Sequence, residues 1–352
     1  MGVSDEHDDP QQPVDPPPGN ADFQHVPVLL DRVVEVLSDV PPGLLVDATL
    51  GGAGHAEALL DANPGLRLLG IDRDPRAIAA ATDRLARFGD RVEIVRSPFS
   101  ALGEVVAARI ENESTQVPGT EGVSAVLMDL GVSSPQIDEA DRGFSYRAKG
   151  PLDMRMDRRD PMSADDVVNG YSHAQLRRVI STYGEDRFAQ RIARAIVDAR
   201  PINDTVELAD VVRSAIPAPA RRRGGDPAKR TFQAIRIEVN KELDELESAL
   251  DAAVSTLCLS GRIAVLSYHS LEDRAVKGAL REAETGGCVC PQGLDCVCGA
   301  VPTVRLLRRG AWKADEAERE ANPRARSVRM RAAEAIAPPE SDEHDGTVGW
   351  AS

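Results

Sequence analysis

The chain has 352 residues, 42% hydrophobic and 28% charged, with a formal net charge of -15. Its length fits one large domain or two, and no run approaches the ~18 to 20 apolar residues of a spanning helix, which excludes a membrane-spanning class. Residues 1–22 hold six acidic side chains and residues 338–352 four, with no Lys or Arg in either, so setting these ten aside leaves about -5.

That remainder admits a polyanionic partner, because binding depends on local patches such as Arg221-Arg222-Arg223, Lys229-Arg230, Arg305 to Arg309 and Arg324-Ala325-Arg326. The N-terminus lacks a basic segment followed by an apolar one, so a cytoplasmic location is expected. Residues 1–22 and 336–352 are expected to be disordered acidic tails, too poor in aliphatic side chains to offset the entropy of ordering.

From Phe23 short apolar runs alternate with helical stretches, the signature of an α/β sheet. Strands are expected at Leu44 to Val46, ending in Asp47; at Arg67 to Ile71, ending in Asp72; at Val92 to Val95; and at Ser124 to Met128, ending in Asp129. Asp74-Pro75 reads as an N-cap with proline in the first turn of a helix running to Leu85. After about Gln136 helical signals take over: Phe188, Ile192 and Ile196 at four-residue spacing, and Asp204-x-x-Glu207 as a capping box. Strand character resumes at Arg262 to Tyr268, Val304 to Leu307 and Ser327 to Arg331. The expected division is a sheet domain over 23–136, an inserted helical domain over 137–238, and the rest of the sheet domain over 239–335.

The small-residue turn Asp47 to His55 lies between a strand and a helix, where the backbone can approach a ligand closely. Asp72, at the end of the next strand, can accept hydrogen bonds from ribose hydroxyls. Together they indicate a nucleoside-containing ligand, NAD or S-adenosylmethionine. Phe99 follows the third strand and can lie against an adenine. Asp129-Leu130-Gly131-Val132-Ser133-Ser134-Pro135-Gln136 leaves the fourth strand with acceptor oxygens suited to orienting an amine toward a methyl donor.

Taken with these, several further blocks resemble the ribosomal RNA small subunit methyltransferase H family. They are Phe23 to Leu30, Gly70 to Pro75, Arg142 to Ser145, Pro151 to Asp157, Tyr183 to Glu185, Arg230 to Arg236, Ser270 to Arg274 and Asn322 to Ser327, in family order. The resemblance implies a class I S-adenosylmethionine-dependent methyltransferase, Rossmann-like with a mostly parallel sheet and an inserted helical subdomain. It further implies methylation of N4 of a cytidine in the decoding region of bacterial 16S rRNA, with the rRNA met within the small ribosomal subunit. Cofactor contacts carried over fall on Ala53, Gly54, His55, Asp72, Phe99, Asp129 and Gln136. Ala53 stands where the family often has glycine, and alanine is expected to be tolerated there only at an ordinary backbone angle.

Asp129 and Ser134 are expected to orient the amine, Phe144 or Tyr146 to stack on the flipped base, and His269 to be a second candidate proton acceptor. The insertion and Arg221 to Arg223 are expected to grip RNA phosphates. Cys288, Cys290, Cys296 and Cys298 form two C-x-C pairs open to a zinc site or a reduced loop, and Cys258 is expected at a helix end. A homodimer is carried as an expectation. Two other classes compete: a nucleotide-dependent oxidoreductase, and a non-catalytic RNA-binding assembly factor with a retained cofactor pocket.

Overall fold

The computed structural model describes residues 27–113, 122–132, 134–221, 226–291 and 297–337. Residues 1–22 and 338–352 of the expected tails, Ser133, Arg222-Arg223, Cys296 and the first half of the Phe23 to Leu30 block lie outside them; Ile336, expected in the tail, instead extends the sheet edge by donating its N to Thr303 O at 2.9 Å.

The chain runs α1 (Leu30–Leu37), β1 (Gly43–Asp47), α2 (Gly54–Ala62), β2 (Leu66–Asp72), α3 (Pro75–Leu85), β3 (Val92–Arg96), α4 (Leu102–Glu113) and β4 (Val123–Asp129). A helical stretch follows: α5 (Ser134–Asp138), α6 (His173–Tyr183), α7 (Ala189–Asp198), α8 (Thr205–Ala215), α9 (Ala218–Arg221), α10 (Ala228–Asn240) and α11 (Glu242–Ser255). The chain then closes with β5 (Leu257–Ser267), α12 (Ser270–Thr285), β6 (Val304–Leu306), α13 (Glu316–Ala321) and β7 (Arg329–Ala335).

The seven strands form one sheet in the order β3-β2-β1-β4-β5-β7-β6. β1 to β5 are parallel and β7 runs antiparallel to β5. Strand order reverses between β1 and β4, and the crevice at the carboxyl ends of such a pair is where open α/β sheets bind ligands. Alternate residues of each strand bury on opposite faces, as a period of two requires. Leu45, Leu68, Leu127 and Leu266 pack with α1, α2 and α3. Leu44, Val46, Ile71, Val126 and Val265 pack with α4, α11 and α12. Each such buried aliphatic side chain contributes about 1.5 to 3 kcal/mol.

A third apolar cluster draws on Phe144, Leu152, Met154 and residues of α6, α7, α8 and α10, such as Leu176, Ile192, Leu208 and Phe232. It shares no member with the two clusters of the sheet. The helical stretch therefore carries its own core, and α11 returns the chain to the sheet.

α3 begins as the sequence indicates: Asp74 accepts from Arg76 N and Pro75 occupies the first turn. Three details differ. Asp204 does cap α8, but Glu207 turns its carboxylate to Asn203 N, one residue before the cap, so the reciprocal bond of a capping box is not made. The last strand starts at Arg329, two residues late, because Asn322 caps a 3-10 turn over Pro323–Ser327. Cys258 sits in β5, not at a helix end, with Sγ 4.0 Å from Ser124 Oγ. No helix among the described residues is long and apolar enough to cross a membrane.

Candidate functional site at the carboxyl edge of the sheet

β1, β2 and β4 each end in an aspartate, and the turn after β1 ties the three ends together. Leu50 N donates to Ile71 O at 3.0 Å and Ala48 N to Leu127 O at 2.9 Å, extending the ladder on both sides of β1. Gly51 N donates to Asp72 Oδ2 at 2.8 Å, and Thr49 Oγ1 accepts from Asp129 N at 2.6 Å. Gly51 has φ +51°, a left-handed angle that glycine adopts without a steric cost. Gly54 opens α2 against Pro27, whose Cγ would lie 2.5 Å from an added Cβ, so only glycine lets these segments touch.

Ala53, between them, also has φ +59° and ψ +22°. The ordinary angle expected for alanine is therefore not the one adopted. The left-handed turn is imposed by Ala53 N donating to Leu50 O at 2.8 Å while α2 must start at once, and the methyl is buried in the core. Alanine there carries strain of about 1 to 2 kcal/mol.

Asp72 accepts one backbone N–H on each carboxylate oxygen, from Gly51 and from Asp74 at 2.8 Å. Each oxygen keeps a second lone pair, the donor-acceptor chemistry that a ribose diol needs. Burial pushes its pKa up, against the pull of those two N–H groups. Asp47 is 2% exposed. Burial raises it to about 7, against the N–H of Thr49 and with the further push of Asp129 and Asp72. Burial thus favours the protonated form of both carboxyls.

Asp129 is held by Tyr268, with His55 behind it. The Tyr268 hydroxyl donates to its Oδ1 at 2.7 Å, and His55 Nδ1 faces Oδ2 at 3.7 Å. His55 Nε2 lies 2.9 Å from Val28 O, and since a carbonyl only accepts, that nitrogen carries the hydrogen. His55 is accordingly buried behind Asp129, braced by the segment before α1. Burial, and then the charge of Asp129, lift the Tyr268 phenol well above its usual pKa, so it remains a donor.

Phe99 opens a 3-10 turn one strand further out, half-buried against the core, where Ser97 N donates to Asp72 O at 3.1 Å. Gln136 is buried and donates Nε2 to Asp74 Oδ2 at 3.3 Å. The same carboxylate takes a 2.8 Å bond from Arg142, itself 5% exposed, which also reaches Met156 O at 3.0 Å. Asp74 is thus the joint between β2 and the Arg142 and Pro151 to Asp157 blocks. Arg96 with Asp157 at 3.3 Å adds a second tie.

The structure brings Ala53, Gly54, His55, Asp72 and Asp129 together at the carboxyl ends of β1, β2 and β4, with the Ala53 methyl and His55 buried, Phe99 one strand further out and Gln136 on Asp74. Ser134 starts α5, five residues after β4 ends. His269 is placed differently from a free proton acceptor: it is the N-cap of α12, with Nδ1 accepting from Glu272 N at 3.3 Å and Nε2 3.0 Å from Glu272 Oε1. Glu272 in turn meets Arg236, which pairs with Glu242 at 2.7 Å. Phe144 is 9% exposed in the helical core, under Arg142, which leaves Tyr146 the more accessible ring; it packs edge-on against Phe232 with centroids 5.6 Å apart. Cys288, Cys290 and Cys298 lie together on the loop between α12 and β6.

Thr49, Asp74, Arg142 and Tyr268 escaped the sequence reading as site residues. Tyr268 had one usable signal, its place one residue beyond a strand that ends beside β4.

The family model described as the MraW methylase family matches residues 22–336. A relative from Thermobifida fusca, named ribosomal RNA small subunit methyltransferase H, is 54% identical over 317 residues, 88% of this chain and 93% of its own. Relatives of the same name from Salinispora tropica and Heliobacterium modesticaldum are 52% and 47% identical over 326 and 319 residues. Each alignment covers 89% of this chain, with 85% and 99% of the respective relative. The sheet, with its antiparallel β7 and a site at the β1/β4 switch, has the class I methyltransferase architecture, and the chain belongs to the MraW methylase family.

Proposed function

We propose that the protein transfers a methyl group from S-adenosylmethionine to N4 of one cytidine in the decoding region of bacterial 16S rRNA, acting on the small ribosomal subunit in the cytoplasm. The observation that carries this reading is the trio of aspartates at the ends of β1, β2 and β4, joined through the Thr49 to Gly54 turn. The names of the relatives supply the substrate class.

The charge of the crevice distinguishes the two nucleoside ligands left open by the sequence. A pyrophosphate beside Asp72 and Asp129 meets acceptor carboxylates, whereas a sulfonium meets opposite charge; Asp74 is already neutralised by Arg142. When bound, S-adenosylmethionine supplies an electrophilic methyl group on that sulfonium. Asp72 accepts from the ribose hydroxyls, the turn from Gly51 to Gly54 lies along the amino-acid portion, and Phe99 lies against the adenine.

A cytosine amine is a poor nucleophile because its lone pair is delocalised into the ring. Asp129 would accept the amine hydrogens and turn the lone pair toward the methyl carbon that the cofactor supplies, and the proton that the amine gives up would pass through Asp129 to water. Tyr268 fixes the rotamer of Asp129. Tyr146 offers a ring to the displaced base, and the helical unit over 137–238 supplies the RNA grip.

The test is incubation of the purified protein with labelled S-adenosylmethionine and small subunits lacking the modification, followed by mass spectrometry of the nucleosides. N4-methylcytidine at one decoding-region site is the expected result. Cofactor binding without transfer to subunits or free 16S rRNA points instead to an assembly factor, and binding of NAD to an oxidoreductase.

A further inference from the structure

The loop between α12 and β6 takes no part in the crevice, yet it is built to a definite shape. Its base is closed by Cys288 N donating to Thr285 O at 3.2 Å, Gly287 N to Glu282 O at 3.1 Å, and Thr303 N to Ala283 O at 2.9 Å. Gly286, at φ +61°, sits where an added Cβ would lie 2.4 Å from Val301 C and O, so the two arms of the loop touch through bare backbone.

Among the described residues, the loop's apolar side chains do not fill it. Val289, Val297 and Val301 are 85%, 88% and 69% exposed, so its own valines point outward. What gathers at its centre is sulfur: the Sγ atoms of half-buried Cys288 and Cys290 and of exposed Cys298 all lie within 4.8 Å of one another. Cys288 Sγ and Cys298 Sγ are 3.7 Å apart. A disulfide requires ~2.05 Å. The edge of a tetrahedron with zinc–sulfur bonds of ~2.3 Å is ~3.8 Å. In addition, Val297 N donates to Cys290 Sγ at 3.4 Å, a backbone N–H aimed into the sulfur cluster.

We propose that Cys288, Cys290 and Cys298 bind a zinc ion that holds this loop in shape, at a site separate from the methyl-transfer crevice. A short loop whose described valines face solvent needs such a staple. Binding replaces the thiol protons, so metal uptake releases protons and weakens in acid. The role is structural: all three ligands sit on one loop outside the sheet edge, and none touches Asp72 or Asp129. The inference stands whether or not the acceptor is a cytidine of 16S rRNA.

The experiment is metal analysis of the full-length chain purified under reducing conditions without chelator, followed by chelator stripping and reconstitution with zinc or with cobalt(II). About one zinc per chain is expected, and the cobalt form should show thiolate-to-metal charge transfer with tetrahedral ligand-field bands, whose intensity reads the number of thiolates. Cys288→Ser and Cys298→Ser should each weaken zinc binding at least tenfold, and Cys258→Ser should leave it unchanged. S-adenosylhomocysteine binding, measured on the same samples, reports that the variants are folded. Should either serine variant fail to fold, stripped wild-type protein provides the readout: proteolysis within residues 286–302 should speed up with chelator and slow again with zinc. Absence of stoichiometric metal after reconstitution, undiminished binding in both serine variants, or a cobalt spectrum without thiolate bands overturns the proposal.

Discussion

Tyr268 and Asp129, 139 residues apart in sequence, meet at 2.7 Å because β4 and β5 are parallel neighbours that end level with one another. The tyrosine lies one residue past the end of β5, and its hydroxyl fixes one oxygen of the carboxylate at the centre of the crevice. A hydrogen bond to a charged acceptor is worth about 1.5 to 3 kcal/mol. Tyr268→Phe should therefore slow methyl transfer about 10- to 100-fold at saturating cofactor, with little change in S-adenosylmethionine affinity. Asp129→Asn should cost at least as much. Single-turnover transfer to small subunits, with calorimetry for cofactor binding, checks both; full turnover in Asp129→Asn removes the positioning role.

Asp47 predicts how stability varies with pH. Its pKa is ordinary, 3.8, in the unfolded chain and about 7 in the folded one. The folded state thus holds the proton more tightly, and stability falls as pH rises from about 4 to about 7, then levels off. That displacement corresponds to about 4 kcal/mol. Asp47→Asn keeps an oxygen for Thr49 N and abolishes the penalty. Urea unfolding should show the variant no more stable than wild type at pH 4 and clearly more stable at pH 8; parallel curves across that range contradict the assignment.

The strand ends were readable because their signals are local: an apolar run stopping at Asp72 or Asp129 is visible within a few residues. The partners of those aspartates were not, since Thr49 and Asp129 lie 80 residues apart and the Asp74 to Arg142 contact spans 68. Only the parallel register and the path of the helical insertion bring them together. Ala53 shows the opposite failure, where residue type misled: alanine reads as ordinary backbone, and the compact turn forces it left-handed. His269 looked chemical because it ends a strand near the site, but a histidine can also cap a helix, and the backbone of Glu272 uses it so.

Ala53 permits a contrast between two small substitutions. Ala53→Gly relieves a left-handed strain of about 1 kcal/mol and loses one buried methyl, so stability should stay within about 0.5 kcal/mol of wild type. Ala53→Val sets a β-branched residue at φ +59° in a filled core. It should lose more than about 2 kcal/mol, and cofactor affinity with it. Equal unfolding midpoints for the two variants would mean that the angle does not constrain this site.

The grip on RNA should appear as salt dependence. Each phosphate neutralised by Lys or Arg contributes a slope of about -0.7 to -0.9 to log K against log salt. Replacing Arg221, Arg222 and Arg223 together by alanine should flatten the slope by about two while leaving S-adenosylhomocysteine binding intact. Filter binding to a 16S rRNA fragment across a salt series measures it; an unchanged slope moves the phosphate contacts elsewhere.

The buried pair of Arg142 and Asp74 couples the helical unit to the sheet, and its removal should be felt in both. Burial pushes the Asp74 carboxyl up, but the hydrogen bond from Arg142, with help from Arg76 N and Gln136, holds it below the ordinary value. Arg142→Met keeps apolar bulk and strands a buried carboxylate, at a cost of about 3 to 5 kcal/mol near neutrality. The sign with pH follows from the depressed value: the stabilisation is present above pH 4 and is lost as pH falls through the folded pKa. In the variant Asp74 takes up a proton readily, so the deficit relative to wild type should shrink below pH 4. Because Arg142 also reaches Met156 O, the Pro151 to Asp157 segment should exchange its amide hydrogens faster in the variant at pH 7. A uniform deficit at all pH values would assign the loss to packing rather than to charge.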